Sequence, residues 1–308
     1  AEGDTERATR AAANLLKLRR QLTRDLPQRM VEETLLVATS NLREFGSGDK
    51  YGPRLEESIQ YIAEVVSRFD LVAVQEVRRN LGDLKRLMAV LGDWWDYTVT
   101  DVTEGRSGNE ERIACIFDKR KVRFNHVAGE VALTAGKEPV WQLARSPFLC
   151  SFRPGWRRFS LCSVSIYYGE DQPDDPRRKE GFVLPKEQGE ELAGSNLSED
   201  QYFDQIAFLD PKGQLHSTKR RQAKEREQFR RGVFRFTESV FGEKGAAAWK
   251  GEMAAVMTRK KVEESNWAKE YRQWRTFQMS DRFPPWIELK MDFAEGYLAK
   301  RGGLKRKK

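Results

Sequence analysis

Apolar residues open this chain at intervals of three and four. Ala8, Ala11, Ala12, Leu15, Leu18 and Leu22 share one face between Arg-rich flanks, and Pro27 stops the pattern, which predicts an amphipathic helix within residues 1–30. The period then shortens. Thr34–Ser40 is a strand-like run ending at Asn41, before the loop Gly46-Ser47-Gly48. Leu55, Ile59, Ile62 and Val66 mark a helix, Leu71–Val74 a second buried strand closed by Gln75-Glu76, and Leu81, Leu84, Leu87, Met88 and Leu91 another helix. The opening therefore reads strand, helix, strand, helix.

From Trp94 the rhythm changes to short strands with turn punctuation: Tyr97–Val102, Arg112–Phe117, Phe148–Phe152 and, after the turn Arg153-Pro154-Gly155, Phe159–Tyr168. This middle region reads as antiparallel. Gly169–Asp200 is polar and reads as a loop, and Tyr202–Leu209 resumes as a strand. Ser217–Phe241 is a basic helical stretch, Gly245–Met257 is rich in small residues, and Trp286–Met291 is a closing strand before a Lys/Arg tail over 296–308. No repeat or abrupt shift in composition divides the chain, and a single α/β domain with mixed sheets over 31–295 fits best.

Composition narrows the partners more than the fold. Lys and Arg total 55 against 47 Asp and Glu, a formal charge of +8, which favours anionic ligands such as nucleic acid or phosphorylated molecules. No run of eighteen apolar residues is present, so no stretch reads as membrane-spanning. Ala1 is not an initiator Met, which leaves room for a removed leader or an upstream segment. Cys115, Cys150 and Cys162 form no CxxC pair and read as small hydrophobes in a reducing, cytoplasmic setting. With His126 and His216 isolated from each other and from cysteine, zinc is disfavoured, and a metal here would be a hard ion held by carboxylates.

Four segments, in order, carry a resemblance. They are Thr39-Ser40-Asn41, the strand Asp70-Leu71-Val72-Ala73-Val74-Gln75-Glu76, Tyr202-Phe203-Asp204-Gln205-Ile206, and Ser280-Asp281-Arg282-Phe283-Pro284, with a softer fifth at Gly108–Ala114 that contains Arg112. Together they resemble the endonuclease/exonuclease/phosphatase family of metal-dependent phosphoesterases. The resemblance implies an α/β four-layer sandwich, two mixed and mainly antiparallel β-sheets flanked by helices, that hydrolyses a phosphoester at the sheet edge with Mg²⁺ or Mn²⁺. It implies Glu76 as principal metal ligand, with Asn41 and Asp281 on the metal side, and Asp204 orienting a proton-transferring His; Asp204 and Asp281 are the candidate catalytic residues, and Asn41, Arg112 and Arg282 the candidate contacts to the phosphate. Taken alone, Asn41 also reads as a turn former and Asp281 as a turn residue before Phe283-Pro284.

The sequence departs from that family at three places. Arg282 stands where the family has His in Ser-Asp-His, and a guanidinium cannot act as a base at neutral pH. Ser165 stands at the other family His position. Between 169 and 200 nothing spells the family's Gly-Asp-x-Asn strand, so either the member is degenerate or an internal piece is missing. The expected activity is a phosphodiesterase-like domain, weak or inactive. Two rivals stand beside it: an active Mg²⁺-dependent nuclease, and a non-enzymatic nucleic-acid-binding module using Lys219, Arg220, Arg221, Lys224, Arg226, Arg230, Arg231 and Arg235 on the basic helix. Trp249, Trp267, Trp274 and Trp286 read either as base-stacking platforms or as core.

Overall fold

The computed structural model describes residues 2–48, 50–102, 110–131, 146–155, 157–164, 194–201, 204, 206–207, 230–291 and 301–302. Its elements are α1 (Glu2–Asp25), β1 (Thr34–Phe45), α2 (Glu56–Val66), β2 (Leu71–Arg78), α3 (Gly82–Leu91), β3 (Trp95–Val99), β4 (Glu111–Asp118), β5 (Val122–Glu130), β6 (Phe148–Pro154), β7 (Phe159–Ser163), β8 (Arg230–Val233), α4 (Lys250–Lys260), α5 (Trp267–Gln278) and β9 (Pro285–Lys290). Among the described residues no helix is long and apolar enough to cross a membrane.

The period of two in β1, β2 and β4 decides the layering. Leu36, Ala38, Val72, Val74, Ala114 and Ile116 face the helices, and their alternates Leu35, Val37, Leu71, Ile113, Cys115 and Phe117 face the second sheet. The six-stranded sheet runs β3-β4-β2-β1-β9-β8, with β1 and β2 parallel and the other pairs antiparallel. The three-stranded sheet β5-β6-β7 is antiparallel throughout. The molecule is thus an α/β fold of two sheets with helices on the outer face of the larger one.

Helix α1 joins the same core through Leu18 and Leu22. Arg10 clamps it: one guanidinium nitrogen donates to Glu57 at 2.5 Å and to Glu252 at 2.5 Å, and the group lies 4.3 Å from the centroid of the Trp249 ring. Trp249, Trp274 and Trp286 are buried, and Trp267 is stacked on Tyr271 with ring centroids 5.3 Å apart, so these indoles pack the interior.

Several expected elements are corrected. β1 does not end at Asn41 but continues to Phe45, and β2 carries Gln75 and Glu76 inside it. β5 and α5 were not foreseen: most of β5 is exposed, so it shows no apolar alternation, and α5 interleaves charged and aromatic residues. In the expected basic helix, Arg230–Val233 is instead a strand and Phe236–Glu238 a single 3₁₀ turn. Pairing to β9 overrides helical propensity there. Gly232 lets the backbone lie against the Trp286 indole, and Arg230 reaches Glu288 at 3.5 Å. Arg230, Arg231 and Arg235 therefore do not line a helix; residues 217–229, His216 and, of the tail over 296–308, all but 301–302 lie outside the described residues. Of the strand expected over 202–209, the described Asp204, Ile206 and Ala207 lie in no strand. The Gly169–Asp200 loop up to residue 193 and Ser165 also lie outside the described residues.

One turn fixes how β1 leaves the sheet. Gly46 has a φ of +103°, and a Cβ there would overlap the Asn80 carbonyl oxygen. Gly46→Ala is expected to destabilise the fold by more than about 1 kcal/mol in urea unfolding; an unchanged midpoint would show that the turn tolerates a side chain.

Candidate functional site

The register of β1 against β2 slips between Asn41, paired with Gln75, and Phe45, paired with Val77. A second slip, between Val74 and Val77, marks β2 against β4. Three residues in these bulges take left-handed backbone angles: Arg43 at +35°, Glu44 at +52° and Glu76 at +59°. Such conformations cost about 1–3 kcal/mol each for a non-glycine residue and persist where surrounding contacts impose them. Here they turn Glu76 toward Asn41. The Asn41 Nδ2 donates to Glu76 Oε1 at 2.7 Å, and the Glu44 N–H donates to Glu76 Oε2 at 3.2 Å. The Asn41 side-chain oxygen accepts the Arg43 N–H at 2.9 Å.

The bulge is held from below by Arg54, which the sequence does not single out. Its Nη2 donates to the carbonyls of Leu42 and, at 2.8 Å, of Arg43. Complete burial pushes its pKa down to about 10, against the pull of Asp83, Glu76 and Glu44. A buried guanidinium bound to two carbonyls stiffens the turn that carries both Arg43 and Glu44.

The segment before β9 closes the site from the other side. Ser280 Oγ donates to the Asn41 carbonyl and accepts the Arg282 N–H at 2.8 Å, which ties the Ser280-Asp281-Arg282 turn to β1. Burial raises the Asp281 carboxyl pKa; Arg43, whose Nη1 is 3.8 Å from Oδ2, and Arg282 oppose the rise, and the Glu76 charge adds to it. Asp204 completes the group. Its backbone N–H donates to Ser195 Oγ at 2.9 Å, and its Oδ1 lies 3.4 Å from Arg282 Nη1. Burial also raises the Asp204 pKa, countered by Arg282 and augmented by Asp281.

Asn41, Glu76, Asp204, Asp281 and Arg282 thus stand together at one sheet edge, though they come from four distant stretches of chain. Arg112 does not join them. It sits on β4 opposite Val77 of β2, but its Nη1 turns to the Thr100 carbonyl at 2.8 Å and lies 3.7 Å from Asp101. Gln75, next to Glu76, points between the sheets and donates to Ser163 Oγ at 3.0 Å. Arg43, Arg54 and Ser195 are contributors that sequence reasoning missed; Ser280 was visible only as part of its motif.

Could Mg²⁺ or Mn²⁺ be held here? Asp281 Oδ1 is buried and has no hydrogen-bond partner among the described residues, an acceptor that a hard cation would satisfy. Mg²⁺ is commonly bound through one or two carboxylates, with water and substrate phosphate filling the remaining positions. Glu76 and Asp281 meet that requirement in donor type, although no group of three or more acidic, His or Cys side chains gathers among the described residues.

No protein-family model and no curated protein matches this chain. Among solved structures it is similar to an endonuclease/exonuclease/phosphatase family protein from Leptotrichia buccalis C-1013-b, at 12% identity and a TM-score of 0.45, over 84% of this chain and 100% of that one. It is also similar to the human Nocturnin catalytic domain with bound sulfate anion, at 14% identity and a TM-score of 0.31, over 41% of this chain and 48% of that one, so the match spans about half of that domain. At these values neither likeness assigns a role to any residue.

Proposed function

We propose that this chain is a phosphoester-hydrolase-like domain of the endonuclease/exonuclease/phosphatase type, which binds a phosphate-containing ligand, nucleic acid among the candidates, and is weak or inactive in hydrolysis. The observation that carries this reading is the Arg282–Asp204 pair. Asp204 is where a proton-transferring side chain would be oriented, and its partner is a guanidinium, which holds its proton at any physiological pH. Glu76 and Asp281 would hold Mg²⁺ or Mn²⁺, which supplies positive charge against the phosphate oxygens when bound. Asn41 orients Glu76 through its amide nitrogen. Arg282, adjacent to Asp281 in the chain and 3.4 Å from Asp204, carries a charge that can neutralise a phosphate placed at the site.

The test is turnover of DNA, RNA and a generic phosphodiester with Mg²⁺ and Mn²⁺, for the unaltered chain and for Glu76→Gln. Rates about 10²–10⁴ below those of an enzyme with a positioned general base are expected. Brisk hydrolysis that disappears in Glu76→Gln would establish the rival reading, an active metal-dependent nuclease in which Arg282 binds the phosphate.

A further inference from the structure

Arg43 lies at the heart of the site without a role in the reading above. Its backbone is held left-handed by Arg54 below and by the Asn41 side chain beside it. Its guanidinium rests over the Phe277 ring, 4.3 Å from the centroid, and Nη1 donates to Thr276 Oγ1 at 2.5 Å. The same Nη1 stands 3.8 Å from Asp281 Oδ2. Asp281 therefore has one oxygen sealed without a hydrogen bond and the other facing a fixed positive charge. Among the described residues Nε and Nη2 of Arg43 carry no hydrogen bond, so the guanidinium is placed by stacking and by one donor only.

We propose that Arg43 is a built-in counter-ion of Asp281 that competes with a divalent metal ion for the Glu76–Asp281 pair. This rests on the reading that Glu76 and Asp281 would hold the ion. Two cations cannot share one carboxylate at close range without repelling each other, and a unit charge roughly 4 Å away in a half-buried site is far from negligible. A metal ion entering beside Asp281 meets the guanidinium charge directly. Arg43 thereby holds divalent-cation affinity low and keeps the carboxylate pair neutralised when no metal is bound. It is a positioning and selectivity residue, acting through Asp281.

The experiment is titration of the whole chain with Mn²⁺ alone, followed by electron paramagnetic resonance of the free ion, for the unaltered protein, Arg43→Gln, Arg43→Lys and Glu76→Gln. Arg43→Gln is expected to bind Mn²⁺ at least about tenfold more tightly, Arg43→Lys to stay near the unaltered value because the charge remains, and Glu76→Gln to bind more weakly. Equal affinity of Arg43→Gln and the unaltered chain, with Glu76→Gln impaired, overturns the competition but leaves the metal reading standing. Absence of Mn²⁺ binding in Arg43→Gln, with its circular dichroism unchanged, overturns both. If Arg43→Gln does not fold, Arg43→Lys decides: a lysine with no Thr276 bond that binds Mn²⁺ tenfold more tightly would show that the guanidinium's fixed geometry, not its charge, sets the affinity, and would overturn the proposal as stated.

Discussion

Arg282→His is expected to raise divalent-metal-dependent hydrolysis of a phosphodiester by about 10²–10⁴-fold. The backbone at this position is fixed independently of its side chain, because the Arg282 N–H is held by Ser280 Oγ and Ser280 Oγ in turn by the Asn41 carbonyl. The waiting partner is Asp204, nearly all of it buried, with its Oδ2 lacking a hydrogen bond among the described residues. An imidazole beside that carboxylate would be oriented and its charged form favoured, so it would titrate somewhat above its ordinary ~6.5. The readout is initial rate against pH with Mn²⁺. The variant should gain a rising limb near neutrality that the unaltered chain lacks, and a folded variant with an unchanged rate and flat profile would remove Arg282 as the defect.

Asp118→Ala is expected to cost about 2–3 kcal/mol of stability. The carboxylate is fully buried at the end of β4, far along the sheet from Glu76, and receives Arg29 Nη2 at 2.6 Å and Arg120 through Nε at 2.9 Å and Nη2 at 2.6 Å. Arg29 also donates to Asp70 at 2.8 Å, and Lys121 joins Asp70 at 2.6 Å, so the truncation removes the charge-assisted hydrogen bonds from Arg29 and Arg120 while Asp70 still holds Arg29 and Lys121. Burial alone would raise the Asp118 pKa, but the hydrogen bonds from Arg120 and Arg29 outweigh it and bring it to about 2. A depressed carboxyl pKa stabilises the fold above the unfolded value of about 3.9, and that contribution fades as pH falls from there through about 2. Urea unfolding at neutral and at acidic pH checks both statements. The unaltered chain should lose roughly 2 kcal/mol over that window through this group, and Asp118→Ala should lose correspondingly less. A variant that unfolds at the same urea concentration as the unaltered chain would contradict the argument.

Asp70 and Glu76 bound one strand motif but stand at opposite ends of it. The run Asp70–Glu76 was visible as one buried strand, yet its two acids do separate work: Asp70 anchors the ion-pair cluster at one end of β2, and Glu76 faces Asn41 at the other. A strand rises about 3.3 Å per residue, which places these two acids roughly 20 Å apart. Arg112, expected at the phosphate, lies opposite Val77 near the rim, but its guanidinium is engaged by the Thr100 carbonyl.

What the sequence by itself determined is the unbroken apolar runs of β1, β2 and β4, and with them strands buried on both faces beside amphipathic helices, because only a strand covered on each side can hide every side chain of such a run. It also singled out Asn41, Glu76 and Asp281, although Asn41 and Glu76 lie within bulged strands and not at their ends. Only the tertiary structure decided that these residues meet, that Arg282 faces Asp204, and that Arg43 stands beside Asp281, since each contact joins segments separated by tens to hundreds of residues and depends on left-handed bulge angles with no sequence signature in Arg or Glu. The strand at Arg230–Val233 makes the same point: local charge favours a helix, and a partner strand more than fifty residues later overrules it.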